Sequence, residues 1–454
     1  MNSAIRKSGA IAAASALMLA LAACGSNNNE GASASSEATA SATASALASA
    51  TASSEPTAKP DPVTVSYIAA ASQLNYGGIK DLIAKWEAQT GNKVDIQAIQ
   101  DDQYDNLVKA KLSGGGDIDI FFGAYAKYDV PNQLLEISGE PFESRLNDIA
   151  LASMKYADGK IYGFPSPMAL SSWGAFYNKK VFADLGLTPP KTLDELNQTL
   201  EKIKTADKTP IYFAAKDGWT MLQHRNGVNG VIGGEDPTIW DKLNNNQIGW
   251  KDIPGFLEQY KQVEEWSKKG YLNKDLLTAT YEKQQQMLVK GDAAIIFQGA
   301  FVVPELLKID PAAEIGFFPL PNTDGSQTIA LTGATQVYIA KNSKHAEASK
   351  DLLRFLSDQA QVQSYLEISP GVSAFKDVDV SDKMPESLKE IQNIVNSGKL
   401  SRHGDEAYIV PLPYDDMVAA YSELLAGKIT AEEFVKKNDD MFRKNAKIAK
   451  IPGF

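Results

Sequence analysis

Beyond residue 60 the apolar positions change period in a regular order. Residues 63–70 (VTVSYIAA) alternate and predict a strand. Ile79, Leu82, Ile83 and Trp86 then fall at i, i+3, i+4 and i+7, one face of a helix that Gly91 can end. Val94, Ile96 and Ala98 alternate again as a second strand. Tyr104, Leu107, Val108 and Leu112 give a second helical face, stopped by Gly114-Gly115-Gly116. The apolar run from Ile118 to Phe122 predicts a strand covered on both faces. The order β-α-β-α-β implies a parallel sheet with right-handed crossovers. Ligands of such sheets sit beyond the carboxyl ends of the strands, here at 71–76 and 123–128.

The pattern continues as mixed α/β. Asp158-Gly159 marks a turn before a strand at 161–164, Pro165-Ser166-Pro167 interrupts, and 173–177 reads as another strand. Thr192 and Glu195 have capping-box spacing ahead of the stripe Leu193, Leu196, Leu200 and Ile203. Further strands are predicted at 211–214, 293–297, 315–318 and 336–340. Phe256, Tyr260, Val263 and Trp266 make a helical face before Gly270. The C-terminal third predicts helices over 344–367, 385–397, 414–426 and 430–446. Trp86 and Trp266 lie on helical stripes and read as core, and Asp119, inside its strand, reads as a cap for local backbone amides. No internal repeat is present.

The segment before residue 61 adds a location. Arg6 and Lys7 precede an uncharged apolar run from Gly9 to Ala22, which describes a secretory signal over 1–23, too short to span a membrane. Leu21-Ala22-Ala23-Cys24 resembles a bacterial lipobox, and Cys24 is the only cysteine in 454 residues. The resemblance implies that Cys24 is lipidated, becomes the first residue of the mature protein, and anchors it to the membrane on the extracellular face. Two or more acyl chains give a stable anchor. Residues 24–60, rich in Ala, Ser, Thr and Gly after the cysteine, read as a disordered tether with a coil span of roughly 30–35 Å.

Charge and chemistry narrow the function. The formal net charge is −11, and no cluster of Lys and Arg interleaves with aromatics, which argues against nucleic acid. A lone cysteine gives no disulfide framework. The three histidines, His224, His345 and His403, are far apart in sequence. His-Glu-x-x-His, Gly-x-Ser-x-Gly, the P-loop and GxGxxG are all missing, so no metal, catalytic group or cofactor is expected. An exported glycoside hydrolase would need two facing carboxylates, and no stretch singles out such a pair.

Five motifs then occur in order. They are Trp86-Glu87-Ala88-Gln89-Thr90-Gly91 before a strand; Gly114-Gly115-Gly116-Asp117-Ile118-Asp119 entering an apolar strand; Asp158-Gly159-Lys160-Ile161-Tyr162-Gly163-Phe164-Pro165 leading to Phe176-Tyr177-Asn178-Lys179; residues 189–196 (PPKTLDEL); and residues 290–301 (KGDAAIIFQGAF). Together they resemble the extracellular solute-binding proteins of ABC importers, in the sugar-binding, maltose-binding-protein-like family 1. The match covers essentially all of 61–454. The resemblance implies a two-lobed, type II periplasmic-binding-protein-like α/β fold with the ligand cleft between the lobes. The expected lobes are 61–168 plus 325–371 and 169–324 plus 372–454, with crossings near 166–171, 322–332 and 370–373. It further implies a monomer that captures a carbohydrate, more in keeping with an oligosaccharide, and delivers it to the permease subunits. A lipoprotein reporting ligand to a sensor kinase would have the same fold.

A sugar site needs aromatic platforms for ring faces and polar groups for the hydroxyl rim. Alignment of the motifs places Phe301 where the family often has a stacking Trp, Tyr414 where another aromatic enters the cleft, and Ser171 and Trp173 after the first crossing. Ser171 stands where maltose-type members have a carboxylate, so their substrate does not carry over. Gln73, Asn75 and Tyr76 in the first-strand loop, Tyr125 after the third strand, and Trp219 in the second lobe complete the expected set. Against this, Phe301 and Trp173 also read as core aromatics, and Gln73, Asn75 and Tyr125 as ordinary loop residues. The stretch Arg402–Glu406 reads as a charged surface turn rather than a specificity loop.

Overall fold

A computed structural model describes residues 61–75, 78–166, 168–322, 325–332, 336–402, 408–410 and 412–454. The signal, Cys24, the tether, Tyr76 and His403–Glu406 lie outside the described residues. The strands are β1 (Thr64–Ala70), β2 (Lys93–Ile99), β3 (Ile120–Gly123), β4 (Gly163–Pro165), β5 (Ser171–Asn178), β6 (Thr209–Ile211), β7 (Ala293–Gly299), β8 (Ile315–Phe318), β9 (Ile329–Thr332), β10 (Gln336–Ile339) and β11 (Leu400–Arg402). They form two sheets. One runs β2-β1-β3-β10-β4; the other runs β11-β9-β5-β7-β6, with β8 also paired to β5.

The first sheet opens as the apolar periods predict. β1 pairs in parallel with both β2 and β3. The crossovers are the helices Ile79–Thr90 and Asp101–Gly114, ended by Gly91 and Gly115 at φ of 83° and 67°, where a glycine escapes the Cβ penalty. Trp86 is buried, and its indole N–H donates to Asp351 at 2.9 Å. Asp119, just ahead of β3, accepts from Ser66 N at 2.8 Å. β10 enters antiparallel between β3 and β4, an address that no local period reveals.

β5 is the spine of the second sheet and is buried along its whole length. Ala175 and Tyr177 belong to the core shared with the helices Leu193–Thr205, Phe256–Lys269, Tyr414–Leu425 and Ala431–Ile448. Phe176 faces Leu288, Ile296, Phe317 and Ile391 on the other side. Trp266 stacks on Phe297 with ring centres 5.5 Å apart and planes 12° off parallel. The helix Leu222–Glu235 was not predicted, because Gly227, Gly230, Gly233 and Gly234 break its apolar stripe. Those same glycines let it lie directly on the sheet: a Cβ on Gly230 would sit 2.5 Å from the Ala330 backbone nitrogen, and one on Gly234 would be 2.4 Å from Thr328.

The sheets move the expected lobe boundaries. β9 pairs with β5 at Ser171–Thr332 and with β11 at Leu400–Ile329, so the second crossing follows Thr332 rather than residue 324. Beyond residue 371 the chain stays on the first lobe. Leu170 N donates to Val372 O (2.7 Å), Ala374 N to Met168 O (3.1 Å) and Lys376 N to Arg145 O (2.9 Å). Arg145 holds Asp377 with two hydrogen bonds, of 2.6 and 3.0 Å, and Lys383 pairs with Glu367 at 2.6 Å. The second lobe is re-entered at the helix Glu386–Asn396, where Glu390 accepts from Phe317 N at 2.6 Å. Hydrogen bonding across the segments, invisible to periodicity, sets these boundaries. The helix expected over 344–367 is two, Ala346–Ser357 and Gln359–Ile368, divided by the extended backbone of Asp358.

Candidate functional site

One end of the second sheet gathers aromatic side chains from four parts of the chain. β5 and β7 are antiparallel with Trp173 opposite Gly299, so the start of one strand meets the end of the other. The turn Gly218–Thr220 follows β6 at this end and carries Trp219. The Trp219 ring lies 4.7 Å from that of Tyr281 at 62°, and 6.0 Å from that of Phe301. Phe301 folds back over Gly299, where a Cβ would come within 2.2 Å of the ring.

Polar groups fix these rings. Trp173 Nε1 donates to Gln223 Oε1 at 2.7 Å, and Gln223 Nε2 donates to Trp219 O at 2.9 Å. Asp217 Oδ2 accepts from Tyr281 N at 2.7 Å, which ties the helix Tyr281–Lys290 to the Trp219 turn. Gly218 lies against Val418 so closely that a Cβ would be 2.7 Å away, which seats the helix Tyr414–Leu425 on the same turn.

Tyr414, at the head of that helix, is 45% exposed and faces the first lobe. The Lys127 ammonium lies 6.0 Å from its ring centre and pairs with Asp105 at 2.7 Å. Partial burial raises the Tyr414 hydroxyl pKa, and the fields of Asp105, Asp415, Asp101 and Asp217 add to it.

The structure therefore brings Trp173, Trp219 and Phe301 together and seats the helix that Tyr414 begins against the Trp219 turn. Ser171 is buried at the start of β5, opposite Thr332. The first-lobe candidates are separate. Gln73 Oε1 accepts from Ala70 N at 3.0 Å and so closes its own turn, Ala71–Asn75. Tyr125 donates to Met154 O at 2.6 Å and accepts from Tyr162 N at 3.2 Å. Its ring packs among Tyr156 and Tyr338, and burial raises its pKa. Asn75 ends the first-strand turn. Gln223, Tyr281, Asp217, Asp105 and Lys127 escaped the sequence reading; Tyr281, placed first in a helix capped by Thr280, carried the one local signal.

Other titratable groups serve the framework. His224 is fully buried, its Nδ1 lies 2.5 Å from Tyr421 Oη, and burial lowers its pKa to about 3. His345 Nδ1 lies 3.2 Å from Asp119, at the amino end of β3 and so away from the carboxyl ends. Among the described residues no three His, Cys, Asp or Glu side chains could hold a metal, and no helix is long and apolar enough to cross a membrane. Flat aromatic faces with a nearby amide and carboxylates suit a ligand that is apolar on its faces and polar on its edge.

Residues 70–363 match the family described as bacterial extracellular solute-binding protein. The melibiose/raffinose/stachyose-binding protein MelE of Bacillus subtilis (strain 168) is 22% identical over 347 residues, 74% of this chain and 78% of that protein. The multiple sugar-binding protein of Streptococcus mutans is 21% identical over 340 residues, covering 72% and 79%. A sugar transporter from Bacillus licheniformis, solved in complex with stachyose, superposes with a TM-score of 0.68 at 21% identity, covering 85% of this chain and 100% of that one. The structural likeness shows a two-lobed, type II periplasmic-binding-protein-like fold with the cleft between the lobes.

Proposed function

Because this chain belongs to the bacterial extracellular solute-binding proteins, a family of binders and not of enzymes, we propose that it captures an oligosaccharide and delivers it to an ABC permease. The observation that carries the reading is the joined set Trp219, Tyr281 and Phe301, with Trp173 braced by Gln223 beside it. Names of relatives that bind melibiose, raffinose and stachyose point the same way.

In the binding cycle the sugar first lies on the second-lobe aromatics. The first lobe then closes, with Tyr414 at the seam. Ligand moves that equilibrium only through contacts that are better in the closed form. The protein acts as a monomer, held outside the cell by lipid on Cys24.

A thermal-shift screen of the full-length chain against mono- and oligosaccharides, raffinose and stachyose included, tests the reading. Ligand that binds only the folded state raises the melting temperature. The expected result is a clear shift with one class of oligosaccharide and no product formed; no shift across the panel would sink the assignment. For the anchor, Cys24→Ala is expected to appear in the medium or to stay attached only with its signal uncleaved. Normal membrane retention after cleavage would refute lipidation.

A further inference from the structure

Building on the carbohydrate reading above, we propose that Asp105 and Lys127 make the cleft selective for uncharged sugars over uronates. Asp105 occupies the cation that would otherwise receive a sugar carboxylate.

Lys127 closes the short turn Tyr125–Lys127 just beyond β3, at the carboxyl end of the first sheet. Its ammonium sits 2.9 and 2.7 Å from the two carboxylate oxygens of Asp105, on the helix Asp101–Gly114. Both side chains are about one-third exposed, at 38% and 36%, so the pair stands where an entering ligand meets water. Across the cleft the same ammonium faces the Tyr414 ring at 6.0 Å. A free ammonium in that position is what a uronate site requires, since charge-assisted hydrogen bonds to carboxylate are the strong ones. Here both oxygens of Asp105 already take that role.

Further carboxylates act on Tyr414. Asp101, Asp217 and Asp415 lie within electrostatic reach of its hydroxyl, along with Asp105. Asp101 accepts from Ser72 N at 3.1 Å and Asp217 from Tyr281 N at 2.7 Å, so neutral amides hold both. Asp415 lies in the first turn of the helix Tyr414–Leu425. The groups named here, four carboxylates and one ammonium, sum to a negative charge in this part of the cleft. A uronate entering it is repelled, while a neutral sugar is not. The Lys127–Asp105 pair at 2.7 Å and the 6.0 Å approach of Lys127 to the Tyr414 ring fall within the screening length of roughly 8 Å at physiological salt.

Calorimetry on the full-length chain, with stachyose as the neutral probe and trigalacturonate as the anionic one, tests this. The wild type should bind stachyose at least about tenfold more tightly than trigalacturonate. Asp105→Asn, which keeps the shape and removes the charge, should raise the trigalacturonate-to-stachyose affinity ratio about tenfold or more, and high salt should erase the gain. Lys127→Met should produce no such rise. A wild type that binds both probes equally, or an Asp105→Asn protein that melts normally with an unchanged ratio, would overturn the proposal and leave sugar capture standing. Binding of neither probe, together with silence across the wider sugar panel, would instead overturn the functional reading on which the proposal rests.

Discussion

Trp219→Ala weakens sugar binding by about 2–4 kcal/mol, roughly 30- to 1,000-fold in Kd, the loss expected of an aromatic hot spot. Trp219 is the hinge of the aromatic set, in contact with both Tyr281 and Phe301, and its carbonyl holds the Gln223 that braces Trp173. Truncation removes a platform and loosens its neighbours. Trp219→Phe keeps a flat face and should recover part of the affinity. Tyr414→Ala, at the seam with the first lobe, should weaken binding in the same direction. Calorimetry with the sugar that gives the largest thermal shift decides the matter. Affinities unchanged in both alanine variants would remove the site from this end of the second sheet and leave the fold intact.

Gly230→Val destabilises the fold by about 3 kcal/mol or more, and Gly230→Ala by about 1–3 kcal/mol. Alanine gains up to about 1 kcal/mol of helix propensity over glycine, yet here its Cβ would stand 2.5 Å from the backbone nitrogen of Ala330. Neither the helix Leu222–Glu235 nor β9 can yield by a rotamer change, since the clash is with main chain. Gly114→Ala is the control: it meets nothing within 4 Å and should be neutral within about 0.5 kcal/mol. Denaturant midpoints measure both. A Gly230→Ala protein as stable as the wild type would show that helix and strand can part without cost.

The same glycines explain what was hidden in the sequence. Strands and helices with a clean period were legible, among them β1, β7 and β8 and the helices ending at Gly91 and Gly270. The helix Leu222–Glu235 had no stripe to read because it is buried on nearly all sides, and it packs by small residues. β9 and β11 are short and take their place from pairing partners far along the chain. The lobe boundaries were hard to read for a related reason: Pro370 and Gly371 look like a crossing, while just beyond them Ala374 N bonds Met168 O and Lys376 N bonds Arg145 O. Among the candidate site residues, Trp219 and Phe301 follow strand ends and Trp173 lies near the start of β5, places where an aromatic stands out in the sequence. Gln223 and Asp217 were not, because an amide that braces an indole, or a carboxylate that fixes a helix end, looks in sequence like any polar surface residue. Tyr125 shows the converse: a loop tyrosine that seemed available has its hydroxyl tied to Met154 and Tyr162.

Phe301 rests in the gap that Gly299 leaves in the side-chain row of β7. The depth of the aromatic floor is therefore set by an atom the strand does not carry. A methyl group at that position would clash with the ring and force it to shift, changing the shape of the recess. For anyone reshaping this receptor toward another cargo, the control point lies beneath the proposed recognition surface. It can be adjusted while every group that meets the ligand keeps its chemical identity.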